Sequence, residues 1–216
     1  MKTKHKALLL TLCAVMLTAA SVLGTAAYLT SQESVTNTFT VGAVKITLDE
    51  ADVDEDNNTS DNVVLADGKV RDRANAYHLL PGMTYSKDPT VHVDADSESC
   101  WLFVKVENGI STYESADVTD PDDPSKNYKP IAGQITANGW TLLANTSDVY
   151  YKEYVKGQET KDFVVFSQFR IADNANDTSG WNSISSETTK IEVTAYAVQK
   201  DGFADAEAAW AVFSEQ

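Results

Sequence analysis

Cysteine is nearly missing from this chain. Of its 216 residues only two are cysteine, and Cys13 falls in a leader-like N-terminal stretch, which leaves Cys100 alone in the remainder. An intrachain disulfide is therefore excluded after the leader, and stability has to come from a packed core or from assembly rather than from covalent staples. Histidine is almost as scarce: beyond the leader there are His78 and His92 and no others. Two histidines spaced 14 apart build no common His-rich zinc site, and H-E-x-x-H is absent. There is likewise no G-x-S-x-G elbow, no glycine-rich phosphate loop and no Cys/His nucleophile arrangement. Positive charge is in deficit, with 17 Lys and Arg against 32 Asp and Glu. That balance argues against nucleic acid as a partner, because phosphates are held by Lys and Arg.

Long apolar runs are limited to one. Lys2, Lys4 and Lys6 precede an uncharged stretch from Ala7 to Leu23, and Thr25-Ala26-Ala27 follows with small residues. A positive start, a short apolar region and a small-residue site make a secretory signal peptide, residues 1–27. The run is shorter than the roughly 20 apolar residues that a span needs. Cleavage is expected between Ala27 and Tyr28, with Thr25 and Ala27 at the small positions. No second run of spanning length follows, so no membrane span is expected after cleavage. Residues 28–216 keep 14 of the basic residues and all 32 acidic ones, a formal charge of −18. A chain of that size can bury about 70% of its unfolded surface in one core. The acidic balance fits a solvated extracellular surface or cation binding.

What is present is mostly strand pattern. Val35, Phe39 and Val41 alternate with polar residues. After Gly42 the frame shifts to Val44, Ile46 and Leu48, as at a bulge or bend. "VVLADGKV" reads as a hairpin around Asp67-Gly68. "HLLPGMTYSKDPTVHV" places a turn at Pro81-Gly82 and then an extended run to Val93. "CWLFVKVENG" is the clearest strand, with Cys100, Leu102, Val104 and Val106 on one face and Trp101, Phe103, Lys105 and Glu107 on the other. Cys100 reads as a buried structural thiol. "TDPDDPSKN" is a loop, since its two prolines exclude regular structure. "YKPIAGQITANGW" holds one short helix ending near Asn138-Gly139. Strands follow in "DVYYKEYV", "DFVVFSQFRI" and "KIEVTAYAVQK". In "FADAEAAWAVF" the period becomes helical, with Phe203, Ala206, Trp210 and Phe213 on one face. Strands separated by loops, without alternating helices, predict an all-β fold: an antiparallel β-sandwich with a short connecting helix and a C-terminal helix over an end or an edge. The expected organisation is residues 1–27 as signal, 28–38 as a free N-terminal strand and 39–216 as one sandwich domain.

Between the first strand pattern and the hairpin lies "DEADVDEDNNTSDN". Asp52, Asp54 and Asp56 have the spacing that opens an EF-hand loop, but Asn57 stands where glycine is required and Val63 where the bidentate Glu belongs. An EF-hand is excluded, and a weak calcium site of hard carboxylate oxygens at Asp52, Asp54 and Asp56 stands beside a solvated loop. His78 and His92 lie in polar segments read as exposed.

The stretch "GTAAYLTSQESVTNTFTVGAVKITLDE" resembles the start of the TasA/camelysin family of Gram-positive bacteria. The likeness continues through "LLPGMTYSKDPTVHVD", "CWLFVKVENG", the "NGW" turn, "DVYYKEYV" and "VTAYAVQKDGF". It implies a jelly-roll-like β-sandwich, export through a SipW-type signal peptidase, and a secreted subunit of biofilm-matrix fibres. In such fibres the N-terminal segment of one subunit completes the sheet of the next. Here that segment is Tyr28 to Thr38, with Leu29 and Val35 as its apolar side chains and a homopolymer as the product. A lone strand satisfies its main chain only with water, whereas a neighbour's sheet edge pairs with it; the head-to-tail contact does not close and so propagates. Camelysin itself is classed as a surface metallopeptidase, which makes an extracellular metallopeptidase the alternative, with a monomeric surface protein as a third. No zinc motif carries the peptidase activity over to this chain.

Overall fold

The computed structural model describes residues 11–16, 43–53, 71–72, 75–123, 126–184 and 189–214. The chain divides into two units, Met1–Val41 and Gly42–Gln216. Of the first, only a helical stretch over residues 11–16 is described, with Leu12, Val15 and Met16 exposed. The cleavage residues Thr25, Ala27 and Tyr28, the donor residues Leu29 and Val35, the frame change at Gly42, Asp54, Asp56 and the hairpin around Asp67-Gly68 lie outside the described residues. Among the described residues no helix is long and apolar enough to cross a membrane.

The second unit is all-β and antiparallel, with few helices. Its strands are β1 (Ile46–Ala51), β2 (Arg71–Asp72), β3 (Thr84–Ser86), β4 (Thr90–Val93), β5 (Cys100–Asn108), β6 (Thr141–Leu142), β7 (Val149–Tyr154), β8 (Asp162–Val164), β9 (Gln168–Arg170) and β10 (Ile191–Gln199). Two helices join them, α1 (Ile131–Ala137) and α2 (Ala206–Ser214). One sheet runs β2-β1-β4-β8, a second runs β10-β5-β7-β6, and β3 pairs with β9.

The alternation that marks β5 in the sequence is the reason it sits at the centre. Cys100, Leu102, Val104 and Val106 enter one core together with Tyr150 and Tyr154 of β7 and, from the other four-stranded sheet, Val91 and Val93 of β4, Phe163 of β8 and the partly buried Ile46 and Leu48 of β1. Residues of both four-stranded sheets and of the β3–β9 pair thus share one interior. The other face of β5 is also covered. Phe103 is fully buried against Ala206 and Ala209 of α2, with Trp101, Tyr196, Trp210 and Phe213 around it. The C-terminal helix therefore lies on a face of the second sheet rather than over an end or an edge. The cause is the unusual second face of β5, which carries Trp101 and Phe103 where a solvated sheet has polar residues.

"DFVVFSQFRI" is not one strand. β8 pairs with β4 and β9 pairs with β3, in different sheets. Between them Val165 and Phe166 are both fully buried. Successive side chains of a straight strand face opposite sides, so two buried neighbours mark a corner. The segment it pairs with is interrupted at the same place, between β3 and β4 around Pro89: Val165 N–H donates to the Pro89 carbonyl at 2.8 Å and Lys87 N–H to the Ser167 carbonyl at 3.1 Å. Thr84 is opposite Arg170 and Thr90 opposite Val164, so the register passes through the corner with no inserted residue.

α1 is closed by Asn138 as its C-cap, and Gly139 follows at φ +79°, a conformation glycine adopts without strain. Its N-terminus follows Pro130 and has no local side-chain cap. Glu114 supplies one from a distance. Its Oε1 accepts from the Ile131 N–H at 2.7 Å and from the Tyr128 hydroxyl at 2.6 Å, and its Oε2 accepts from the Asn108 amide at 2.9 Å.

Candidate functional site

On β1 the core takes Ile46 and Leu48, so Thr47 and Asp49 point to the far face. Asp49 is nonetheless buried, because a row of charged groups crosses that face. Arg71 of β2 donates through Nε to Asp49 Oδ1 and through Nη1 to Asp88 Oδ2 at 3.1 Å. His92 of β4 places Nε2 at 2.9 Å from Asp49 Oδ1 and Nδ1 at 2.7 Å from Asp162 Oδ1 on β8. Each of the four strands contributes one member, in strand order: Arg71, Asp49, His92, Asp162. Burial works to raise the Asp49 carboxyl, but the hydrogen bonds from Arg71 and His92 outweigh it and hold the group below its ordinary value.

A second ionic knot closes the end of β1. Glu50 is buried and pairs with Lys87, while Asn75 donates to Glu50 Oε1 at 3.0 Å and to the Ala51 carbonyl at 2.9 Å. Asn75 Oδ1 accepts from the Val53 N–H at 2.9 Å. Burial foremost, and then the Glu50 charge, push the Tyr77 phenol above its ordinary value.

These placements correct the reading of His92 as exposed: its side chain is 16% accessible and both ring nitrogens face carboxylates. His78 is exposed, and its carbonyl accepts from the Tyr85 hydroxyl at 2.6 Å. The two histidines are engaged with different partners. Asp52 follows β1 and is buried; its Oδ2 has no hydrogen-bond partner among the described residues. Among the described residues no three His, Cys, Asp or Glu side chains are grouped so as to hold a metal ion. Cys100 is fully buried, and burial pushes its thiol up to about 11. It has neither the lowered value nor the exposure that a nucleophilic thiol needs.

Sequence reasoning missed Asp49, Glu50, Arg71, Asp88 and Asp162. Asp49 and His92 lie 43 positions apart, and only the pairing of β1 with β4 makes them neighbours.

The remaining feature is the state of the sheet edges. β2 and β6 are two residues long and β8 is three. β10 is different: nine residues, terminal in its sheet among the described residues, and paired with β5 along its full length from Ile191↔Asn108 to Gln199↔Cys100. Comparison with protein-family models, with curated proteins and with solved structures gives no match.

Proposed function

We propose that this chain is a secreted structural protein of the TasA type, a jelly-roll-like β-sandwich that assembles into extracellular matrix fibres when the N-terminal segment of one copy adds as a strand to another. The observation that supports this reading is that neither four-stranded sheet closes: each ends in strands with one unpaired side among the described residues. An unpaired side is a template for a further strand. The strand-forming pattern of residues 28–38 is a complementary supply, released when a signal peptidase of the SipW type cuts after Ala27. Two core faces packed against one interior, with β5 between them and α2, supply the rigid body that such a fibre repeats.

The test is assembly of purified residues 28–216, viewed by electron microscopy across concentration, with and without residues 28–36. The full segment should give filaments above a threshold concentration, and the shortened chain should stay a folded monomer. Filaments of unchanged form from the shortened chain, or a monomer at every concentration of the full one, would remove strand donation as the mechanism.

A further inference from the structure

Lys152 stands where a core residue belongs. Along β7 the side chains of Tyr150, Lys152 and Tyr154 share one face, and both tyrosines are buried in the core. Leu102, opposite Lys152 on β5, is fully buried as well. β6 pairs with β7 only at Tyr150 and Tyr151 and stops short of Lys152. The lysine stem therefore enters the shared core at its margin, and its amine ends beside two rings. Nζ lies 5.4 Å from the ring centroid of Phe163 and 5.9 Å from that of Trp140. It donates to the Asn138 carbonyl at 2.8 Å. Gly139 leaves the room for this, since a Cβ there would stand 3.2 Å from Nζ.

Lys87, Lys105, Lys126, Lys156, Lys190 and Lys200 each pair with a carboxylate. Lys152 has no such partner among the described residues. It lines a hollow of about 410 Å3 together with two carboxylates that are engaged elsewhere, Glu153 with Lys200 and Asp162 with His92 at 2.7 Å. Ring faces attract an ammonium less strongly than a carboxylate does, so burial prevails and holds the Lys152 amine below its ordinary value. Removal from water without a counter-ion is the setting in which a lysine reacts as the neutral amine. The hollow has room for a small organic molecule, and Asn138, Gln158 and Thr160 add polar groups to its wall.

We propose that Lys152 Nζ is a carbonyl-capturing amine and that the hollow beside it admits a short hydroxyaldehyde, the open-chain form of a small sugar. The polar wall suits the hydroxyls, and the amine at the margin of the core meets the aldehyde carbon. The nitrogen lone pair adds to that carbon, and the carbonyl oxygen takes up the proton that the nitrogen sheds. The carbinolamine then loses its hydroxyl together with the second N–H proton as water, which leaves a C=N bond. Nothing is oxidised or reduced. Asp162, on the wall of the same hollow and hydrogen-bonded to His92, is the group placed to carry the proton to the departing hydroxyl. The proposal is independent of fibre assembly.

The test exposes the purified chain to glyceraldehyde at about pH 7.5 with sodium cyanoborohydride, which traps the imine as a stable secondary amine, and maps the adducts by mass spectrometry. The exposed Lys129 is the internal reference. Lys152 should be labelled at least about fivefold faster than Lys129, and the advantage should vanish in denaturant. Its rate should level off as glyceraldehyde is raised, because the hollow fills. Propanal, which lacks the hydroxyls, should favour Lys152 over Lys129 less than glyceraldehyde does. Lys152→Arg keeps the stem and the charge and should remove one fast-labelled site per chain. Labelling of Lys152 no faster than Lys129, an advantage that survives unfolding, or an unchanged fast phase in Lys152→Arg overturns the proposal. A rate that stays proportional to aldehyde at every concentration overturns the hollow as the binding site, and equal preference with propanal overturns the hydroxyaldehyde as its ligand.

Discussion

His92 Nε2 lies 2.9 Å from Asp49 Oδ1, and the same ring reaches Asp162 on the other neighbouring strand at 2.7 Å. The ring thus ties β4 to both of its neighbours in the sheet, β1 and β8. Arg71 continues the tie to β2. Because Asp49 is buried, removing Arg71 takes one of its two side-chain partners from a carboxylate with little access to water. Arg71→Ala should cost about 3 kcal/mol of unfolding free energy at neutral pH, read from denaturant midpoints; a loss below about 0.5 kcal/mol would show that the row contributes nothing.

The same carboxylate sets an acid limit. The Asp49 carboxyl titrates in the folded protein below its ordinary 3.8. Its contribution is therefore complete above about pH 4 and is lost as pH falls through the lower folded value. Stability measured from pH 6 to pH 2 should decline more steeply below about 4 in the parent than in Asp49→Asn. Parallel slopes would show that Asp49 is not responsible.

Cys100 should be silent in the folded protein. Its thiol is fully buried and pushed up to about 11, so little thiolate exists at neutral pH and reagent has no access. Alkylation should be slow in buffer and rapid in denaturant, at the rate of unfolding. Prompt labelling of native protein would contradict this placement.

Trp210 and Phe103 lie 5.2 Å apart between ring centroids, and Trp210 also meets Tyr196 edge-on at 5.3 Å. Trp210→Ala should remove about 3 kcal/mol, the lower end for a large aromatic because the ring is half-buried. It should also reduce the helical signal of α2 in circular dichroism. A stable variant with an intact signal would mean that α2 holds its place without these rings.

Residues 28–216 repel one another through a formal charge of −18. Added salt shortens the reach of that repulsion to about 8 Å near 0.15 M. The concentration at which filaments first appear should fall as salt rises; a threshold that rises or does not move would place the dominant contacts outside this electrostatic argument.

The elements legible in the sequence are those whose evidence is local. β5 and α2 follow from a nine-residue alternation and from a change of period near Phe203, and α1 ends at the Asn138-Gly139 signal. The corner at Val165–Ser167 was not legible, because Val165 and Phe166 simply lengthen an apolar run; only the interruption at Pro89 in the paired segment shows where it turns. The Arg71–Asp49–His92–Asp162 row was not legible for a related reason: its members are scattered from position 49 to position 162 and meet only through the registers of three pairings. Alternation tells which way a side chain points and says nothing of what stands beside it.

The full-length register between β10 and β5 has a mechanical meaning. A pull applied along β10 would pass from it across to β5. Nine aligned residue pairs, from Ile191 to Gln199, join the two strands. Loaded along its length, the ladder would have to slip as a block, with its hydrogen bonds sharing the tension, whereas a pull across the strands would open them one after another. α2, packed on Phe103 behind the same sheet, backs these strands over the middle of the ladder, so the part of the fold that would yield last under such a pull is the β10–β5 pair with its helix.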